Sequence, residues 1–375
     1  MATRLSLTSS ATKKGAIFLG VAIVVFIIAR LLFGVAVTVL TPPKPSPTPY
    51  INAKFQVLPP LSLPDSVVKS EGKNIILDTI TGDIPVSTGS AVVYKINTTT
   101  RPDLNFGQKS KQIASQFQFV NTDPTKVGGT TYLFQDPQDI NRQLDLDYLY
   151  YNYKFNFVNP SSYVSIEKGN TIPIERATSL SLESLKNTRN DIKTTEINEK
   201  NQNALTTNGQ YIFLDPVTQQ TQAATTIQSA NITSININRQ PINSIPIIGP
   251  STTKSNINFS YTGLTSSGQF QVSHRLLEAN VTYWNYSPST EAVYLLQSAS
   301  DAFNNDLLQG KGYILNKTQD GDEYHVRKVY LAYYEPPTVQ EYLIPVWVYE
   351  GDKTDDAKFL FRAIVPAIAK GFIQE

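Results

Sequence analysis

Residues 329–352 read VYLAYYEPPTVQEYLIPVWVYEGD. Five tyrosines and one tryptophan fall in two apolar runs on either side of a Glu335-Pro336-Pro337 turn. Val329, Leu331 and Tyr333 recur at every second position, and so do Leu343, Pro345, Trp347 and Tyr349. A period of two puts each set on one face of a strand. The stretch therefore predicts a hairpin whose aromatic face turns toward a core, with Trp347 and Leu331 in that core. Tyr330 and Tyr334, left over on the other faces, are candidate partner-binding residues, because a phenol offers contact area and a polar tip.

Working outward, EYHVRKVYLAYYE (323–335), EYLIPVWVYEG (341–351) and KFLFRAIVPAI (358–368) predict three consecutive strands. The segment before them, SPSTEAVYLLQSASDAFNNDLLQGKG (287–312), predicts a helix. Ser287 can cap it, Pro288 suits its first position and Glu291 suits its dipole. Ala292, Leu295, Leu296, Ala299 and Phe303 trace its apolar face, and Gly310 or Gly312 ends it. The first half repeats this plan. A strand over 89–97 and a short helix within 101–119 are followed by strands over 130–136 and 143–158. In the last of these Tyr151, Tyr153, Phe155 and Phe157 share a face opposite Asn152, Lys154 and Asn156. A helix opened by Pro173 is expected over 172–192, and strands over 257–261 and 269–286. The Thr/Asn/Gln-rich tract between the halves shows little apolar pattern beyond QYIFLD (210–215). The fold class expected is α+β: two antiparallel-sheet lobes, each with a packed helix.

The N-terminus adds an anchor to this plan. Residues 15–40 are apolar except for Arg30 and Thr38, longer than the roughly 20 residues a membrane-crossing helix needs. Arg4, Lys13 and Lys14 precede the run, and the first acidic residue is Asp65. This pattern predicts a signal anchor with a cytoplasmic N-terminus in the plasma membrane and an extracytoplasmic body. A cleaved signal peptide is the competing reading, favoured by a shorter apolar block ending near Arg30. Arg30 is a candidate for pairing with a partner's helix. Prolines at 42, 43, 45, 47 and 49 predict a polyproline spacer. The expected organisation is a tail (1–14), a transmembrane helix (15–40), a Pro-rich stalk (41–64), a first lobe (65–195), a polar connection (196–230) and a second lobe (231–375).

A formal net charge of +1 argues against nucleic-acid binding, and the lack of cysteine removes disulfides, thiolate metal sites and thiol nucleophiles. The two histidines, His274 and His325, lie on separate expected strands without metal-ligand spacing. Asp145 and Asp147 share a strand face and, with Asp136 and Asp139, are the acids a carboxylate hydrolase would use. A solvated strand face accounts for them more simply. No nucleophile elbow, P-loop or dinucleotide fingerprint stands at a strand–helix junction. No cofactor is expected, and the chain reads as a non-enzyme.

Three stretches carry a resemblance. ININRQPINSIPIIGP (235–250) looks like a strand with an arginine leading into a Pro-Val strand, matched here by Arg239, Ile245, Pro246 and Ile247. Residues 289–314 resemble a helix-then-glycine element, and 329–351 a tyrosine-rich closing hairpin. Over about 230–368 the chain is similar to membrane-anchored regulators of the YycH/YycI kind and to PepSY-like proteins. The resemblance implies cystatin-like or PepSY-like lobes without catalysis, which modulate a membrane kinase or protease through protein contacts. The expected function is a membrane-anchored extracytoplasmic protein that binds and modulates a membrane or envelope partner. The rival readings are a structural envelope or adhesion component and, behind it, a carboxylate-based envelope hydrolase.

Overall fold

The computed structural model describes residues 26, 30, 50–84, 89–119, 122–192, 205–263, 274–316, 322–354 and 356–374. Residues 51–375 form one compact unit, separate from residues 1–50. Along this body the chain lays down β1 (Val68–Lys69), β2 (Asn74–Leu77) and β3 (Ser90–Ile96), then helix α1 (Phe106–Gln116). It continues through β4 (Thr125–Lys126), β5 (Thr131–Gln135), β6 (Arg142–Asp147) and β7 (Tyr153–Phe157) to helix α2 (Ile174–Thr188). Next come β8 (Thr206–Leu214), β9 (Thr221–Ala224), β10 (Ile232–Asn238), β11 (Ile247–Ile248), β12 (Ile257–Gly263) and β13 (His274–Val281). The last stretch holds β14 (Tyr286–Leu295), the short helix α3 (Ala299–Ala302), a π turn (Phe303–Leu307) and β15 (Tyr313–Ile314). Three long strands finish it: β16 (Glu323–Tyr334), β17 (Tyr342–Lys353) and β18 (Asp356–Pro366).

These strands build two nine-stranded sheets, antiparallel except where β2 and β11 run parallel to β16. The second sheet has the order β4-β5-β6-β7-β13-β12-β10-β8-β9. The first takes its strands from both ends of the body: β1 to β3, then β14 to β18, with β11 added from the middle. The second sheet is thus inserted between β3 and β14 of the first. One sheet per half of the chain was the expectation, and the pairing corrects it. Hydrophobic period shows where strands are and which face is apolar, but not which strand pairs with which.

The two sheets bury their faces differently. In β17 every residue from Tyr342 to Tyr349 is buried, so both faces of its first two-thirds are covered. That is why aromatics crowd residues 329–349: Trp347 and Tyr349 fill one face, Ile344, Val346 and Val348 the other. On the first face Phe303 of the π turn lies 5.5 Å from the Tyr349 ring, and Tyr349 Oη donates to Ala299 O at 2.7 Å. The second sheet is apolar on one face only; its inner strands β10 and β12 are buried on both, but their second face is mostly polar. Tyr153, Phe155 and Phe157 of β7 join Ile235, Ile237, Ile257 and Phe259 in a core together with Ile113, Ala177 and Leu185 of the two helices. α2 opens at Pro173 as expected, with Glu175 in its first turn and Lys186 in its last. Gly209 of β8 allows the close approach of that helix, since a Cβ there would lie 2.3 Å from Ile174 Cγ2.

Three further expectations are corrected. No helix among the described residues is long and apolar enough to cross a membrane, and residues 15–40 lie outside them apart from the helical Phe26 and Arg30. The helix expected over 287–312 is largely strand β14, followed by only one helical turn and the π turn. Ala292, Tyr294 and Leu296 are buried while Glu291 and Leu295 are exposed, so the working period is two, not 3.6. The helix starts at Ser298, whose side chain accepts from Asp301 N. The last part of the expected stalk also belongs to the body. Leu58 and Leu61 are core residues, and Leu58 N donates to Phe372 O at 2.8 Å. Leucines between prolines supply apolar area that packs against the sheet rather than spacing it away.

Candidate functional site

One edge of β16 is partly open. Its Glu323–Val326 end pairs with β2 and its Tyr333–Tyr334 end with β11, both in parallel. Between these ends no strand among the described residues pairs with that edge. The direction of each backbone group follows from the neighbouring ladders. Pro345 O accepts from Ala367 N at 3.0 Å, so odd-numbered residues of β17 face β18. Even-numbered ones face β16 and meet Tyr330, Ala332 and Tyr334. On β16 the odd-numbered residues then point to the other side, as Tyr333 N confirms by donating to Pro246 O at 2.8 Å. Val329 and Leu331 therefore turn two N–H and two C=O groups to the open edge. The gap of six residues, Arg327 to Ala332, corresponds to roughly 20 Å of strand.

Charged groups bracket this slot. At the β2 end, Arg327 pairs with Asp352 at 3.0 Å and with Asp78. His325 sits between Asp78 (Nδ1 to Oδ2, 3.1 Å) and Glu323 (Nε2 to Oε1, 3.1 Å). Lys328 is exposed, its Nζ 4.7 Å from the centre of the half-buried Tyr330 ring. Burial and the nearby Glu350 carboxylate push the Tyr330 phenol well above its ordinary range.

At the β11 end the slot meets the junction of the sheets. Glu335, only 1% exposed, donates its N–H to Ile248 O at 2.8 Å and pairs through Oε1 with Arg239, which follows β10. Asn256 Nδ2 donates to Glu335 O at 2.9 Å and Oε2 at 3.1 Å. Arg239 also donates to Trp284 O at 3.0 Å and lies 4.2 Å from the Tyr283 ring centre. Burial opposes its charge, but the Glu335 carboxylate more than offsets this and raises the guanidinium pKa. Arg189, at 1% exposure, flanks the same Tyr283 ring at 5.7 Å and pairs with Asp191 at 2.8 Å. Tyr283 and Trp284 form the link between β13 and β14, where the chain leaves one sheet for the other. Beside β11 lies a polar cleft of about 290 Å³, lined by Asn208, Asn236, Asn238, Asn256, Lys254 and Arg362 among others.

The residues singled out from sequence distribute unevenly over this site. Tyr330 stands on the strand that carries the open edge, half-buried on the face next to Lys328. Tyr334, expected on an outer face, is fully buried, its hydroxyl without a partner among the described residues. That face is covered because this end of β16 belongs to the first sheet's core cluster, with Leu58, Ile344 and Val346. Arg30 lies in the separate N-terminal unit. The four acids are scattered. Asp136 is held by Arg142 at 2.8 Å; burial works against its charge, but bonds from Gln138 N and Arg142 lower its pKa. Asp139 accepts from Tyr163 Oη at 2.7 Å. Burial raises Asp145 and Asp147, partly countered in Asp145 by Lys154 across the ladder. None of the four lines the polar cleft. The open edge itself left no mark in the sequence, since main-chain pairing is not written in side chains. Arg239 was noticed only within the resemblance, and Glu335 only as a turn residue.

No protein-family model matches the chain, and no curated protein matches it either. The YycH/YycI and PepSY resemblance therefore gains no support. Among solved structures the chain is similar to an uncharacterized protein from Eubacterium rectale ATCC 33656, solved at 1.45 Å. The two share 14% identity over 79% of this chain and 88% of that one, with a TM-score of 0.37. A likeness that loose carries no inference about this chain.

Proposed function

We propose that this protein is a non-catalytic binding protein of the cell envelope that captures an extended segment of a partner protein on the free edge of β16. The observation that carries the reading is the pair of main-chain units, Val329 and Leu331, that no strand among the described residues engages, framed at both ends by short parallel strands. Strand addition draws its affinity from such groups and its specificity from flanking side chains. Lys328, Tyr330 and the Arg327–Asp78–Asp352 cluster would supply the latter. Binding there would modulate the partner rather than turn over a substrate. The envelope location rests on sequence alone: the apolar run 15–40 behind Arg4, Lys13 and Lys14 reads as an export signal.

The test compares two prolines. Leu331→Pro deletes an N–H aimed at the free edge, where proline is tolerated. Ala332→Pro deletes one aimed at β17 and breaks the ladder. A photoreactive residue at Lys328 should crosslink one dominant envelope protein in intact cells, and Leu331→Pro should abolish that adduct while the chain stays folded. Ala332→Pro should unfold the body. An adduct undiminished in a folded Leu331→Pro chain would rule out strand addition. Self-adducts alone would favour a structural envelope role.

A further inference from the structure

A second cleft, of about 210 Å³, lies on the first sheet away from the open edge. Leu61, Tyr313, Val365, Ile368 and Ile373 give it apolar walls. Three lysines, Lys69, Lys311 and Lys370, stand around it against a single acid, Asp306. Asp306 is buried on the π turn, where it pairs with Lys370 at 2.9 Å and accepts from Gln297 Nε2 at 3.1 Å. Single-turn π elements are concentrated at functional sites. Lys69 lies flat on the cleft's aromatic wall, its Nζ 4.0 Å from the Tyr313 ring centre, and both Lys69 and Lys311 are exposed.

We infer that this cleft binds a small amphipathic anion: a short apolar body carrying one carboxylate or a similar acid group. The apolar walls take the body. Asp306 neutralises Lys370 and leaves Lys69 and Lys311 to meet the ligand's charge at the rim. A cationic or uncharged amphiphile would forgo that attraction, and a fully polar anion would leave the walls uncovered. The volume lies below the range of drug-sized pockets, so the ligand is small. The site shares no residue with the free edge of β16 and stands or falls independently of strand addition.

The experiment titrates the folded body with octanoate, octanol and octylamine, following the methyl resonances of Ile368 and Ile373. Octanoate should shift both methyls and bind at least about tenfold more tightly than octanol, with octylamine weaker still. Replacing both exposed lysines (Lys69→Ala with Lys311→Ala) should weaken octanoate by about tenfold and leave octanol unchanged. Neither lysine is in the core, so the double variant keeps its fold, which the unshifted remainder of the spectrum checks. Equal binding of octanoate and octanol, shifts confined to other methyls, or no saturable octanoate binding would each overturn the inference.

Discussion

The two sheets have nine strands each and solve burial in opposite ways. In the second, α1 and α2 pack on one apolar face, and the other carries a row of asparagines across four strands, buried at Asn236 and Asn258 and exposed at Asn208. Asn208, Asn236, Asn258 and Asn280 are successive cross-strand partners. Behind them come Gln210, Ser234, Ser260 and Glu278 in the same register. The first sheet has long central strands, and the first eight residues of β17 are covered on both faces. A sheet with one apolar and one polar face writes its orientation into the sequence as alternation; a sheet apolar on both faces writes only a continuous apolar run. The first is easy to orient from sequence and the second is not.

The sharpest way to break this comparison is at the joint between the sheets. Glu335→Gln should cost about 3 kcal/mol in denaturant unfolding, because it leaves the mostly buried Arg239 guanidinium without its counter-charge. The pair Arg239→Met with Glu335→Leu should recover most of that loss, since removing both charges removes the desolvation penalty as well. If the double variant is as damaged as the single one, packing rather than charge holds the joint.

Polar substitution tests the two-sided burial next. Val348→Asn, in the fully covered part of β17, should destabilise by about 2–3 kcal/mol by burying an amide without partners. The reverse exchange on the second sheet, Asn208→Val at an exposed position, should stay within about 0.5 kcal/mol. Equal costs would mean that the Asn208 end of the asparagine row is as enclosed as the centre of β17.

The smallest effect concerns the acids on the second sheet. Burial raises the Asp145 carboxyl above its ordinary 3.8 in the folded state. The folded chain therefore binds this proton more tightly than the unfolded one. The group's contribution is full below that ordinary value and is lost as pH rises through the raised folded one. Asp145→Asn should flatten the decline and stabilise the body at neutral pH by less than about 1 kcal/mol. Chemical denaturation of both proteins from pH 3 to pH 7 measures it; a variant weakened at neutral pH would show the carboxylate to be a net stabiliser.

Much of the local structure was legible in the residues. Apolar runs located β3, β5, β16, β17 and β18. Alternation located β12 and the β7 part of the strand expected over 143–158, which the chain breaks at a turn into β6 and β7. Pro173 marked the start of α2. The failures have one cause. Residues 287–296 carry apolar groups that satisfy a helical stripe and a strand alternation equally well, and pairing with β3 decided for the strand. The same holds for 206–214, where a polar strand sits between β9 and β10 because neighbours supply its hydrogen bonds, not its own side chains. Tyr330 and Tyr334 differ in sequence by nothing that predicts burial; the covering of the β16 end decided it.

Sequence by itself determined the position of many strands, the helix positions on the second sheet and the absence of any cysteine, while the α+β class it suggested gave way to a body built mostly of antiparallel sheet. These follow from side-chain period and composition, which are local. Tertiary structure alone decided that one sheet is inserted within the other and that Arg239 meets Glu335 across 96 residues. It alone decided that Val329 and Leu331 turn main-chain groups to an edge no strand among the described residues fills, and that three lysines surround an apolar cleft. Those features depend on which segments come together. Backbone hydrogen bonds are the same for every residue and carry no sequence label, so only the assembled sheet reveals where one is left unmade.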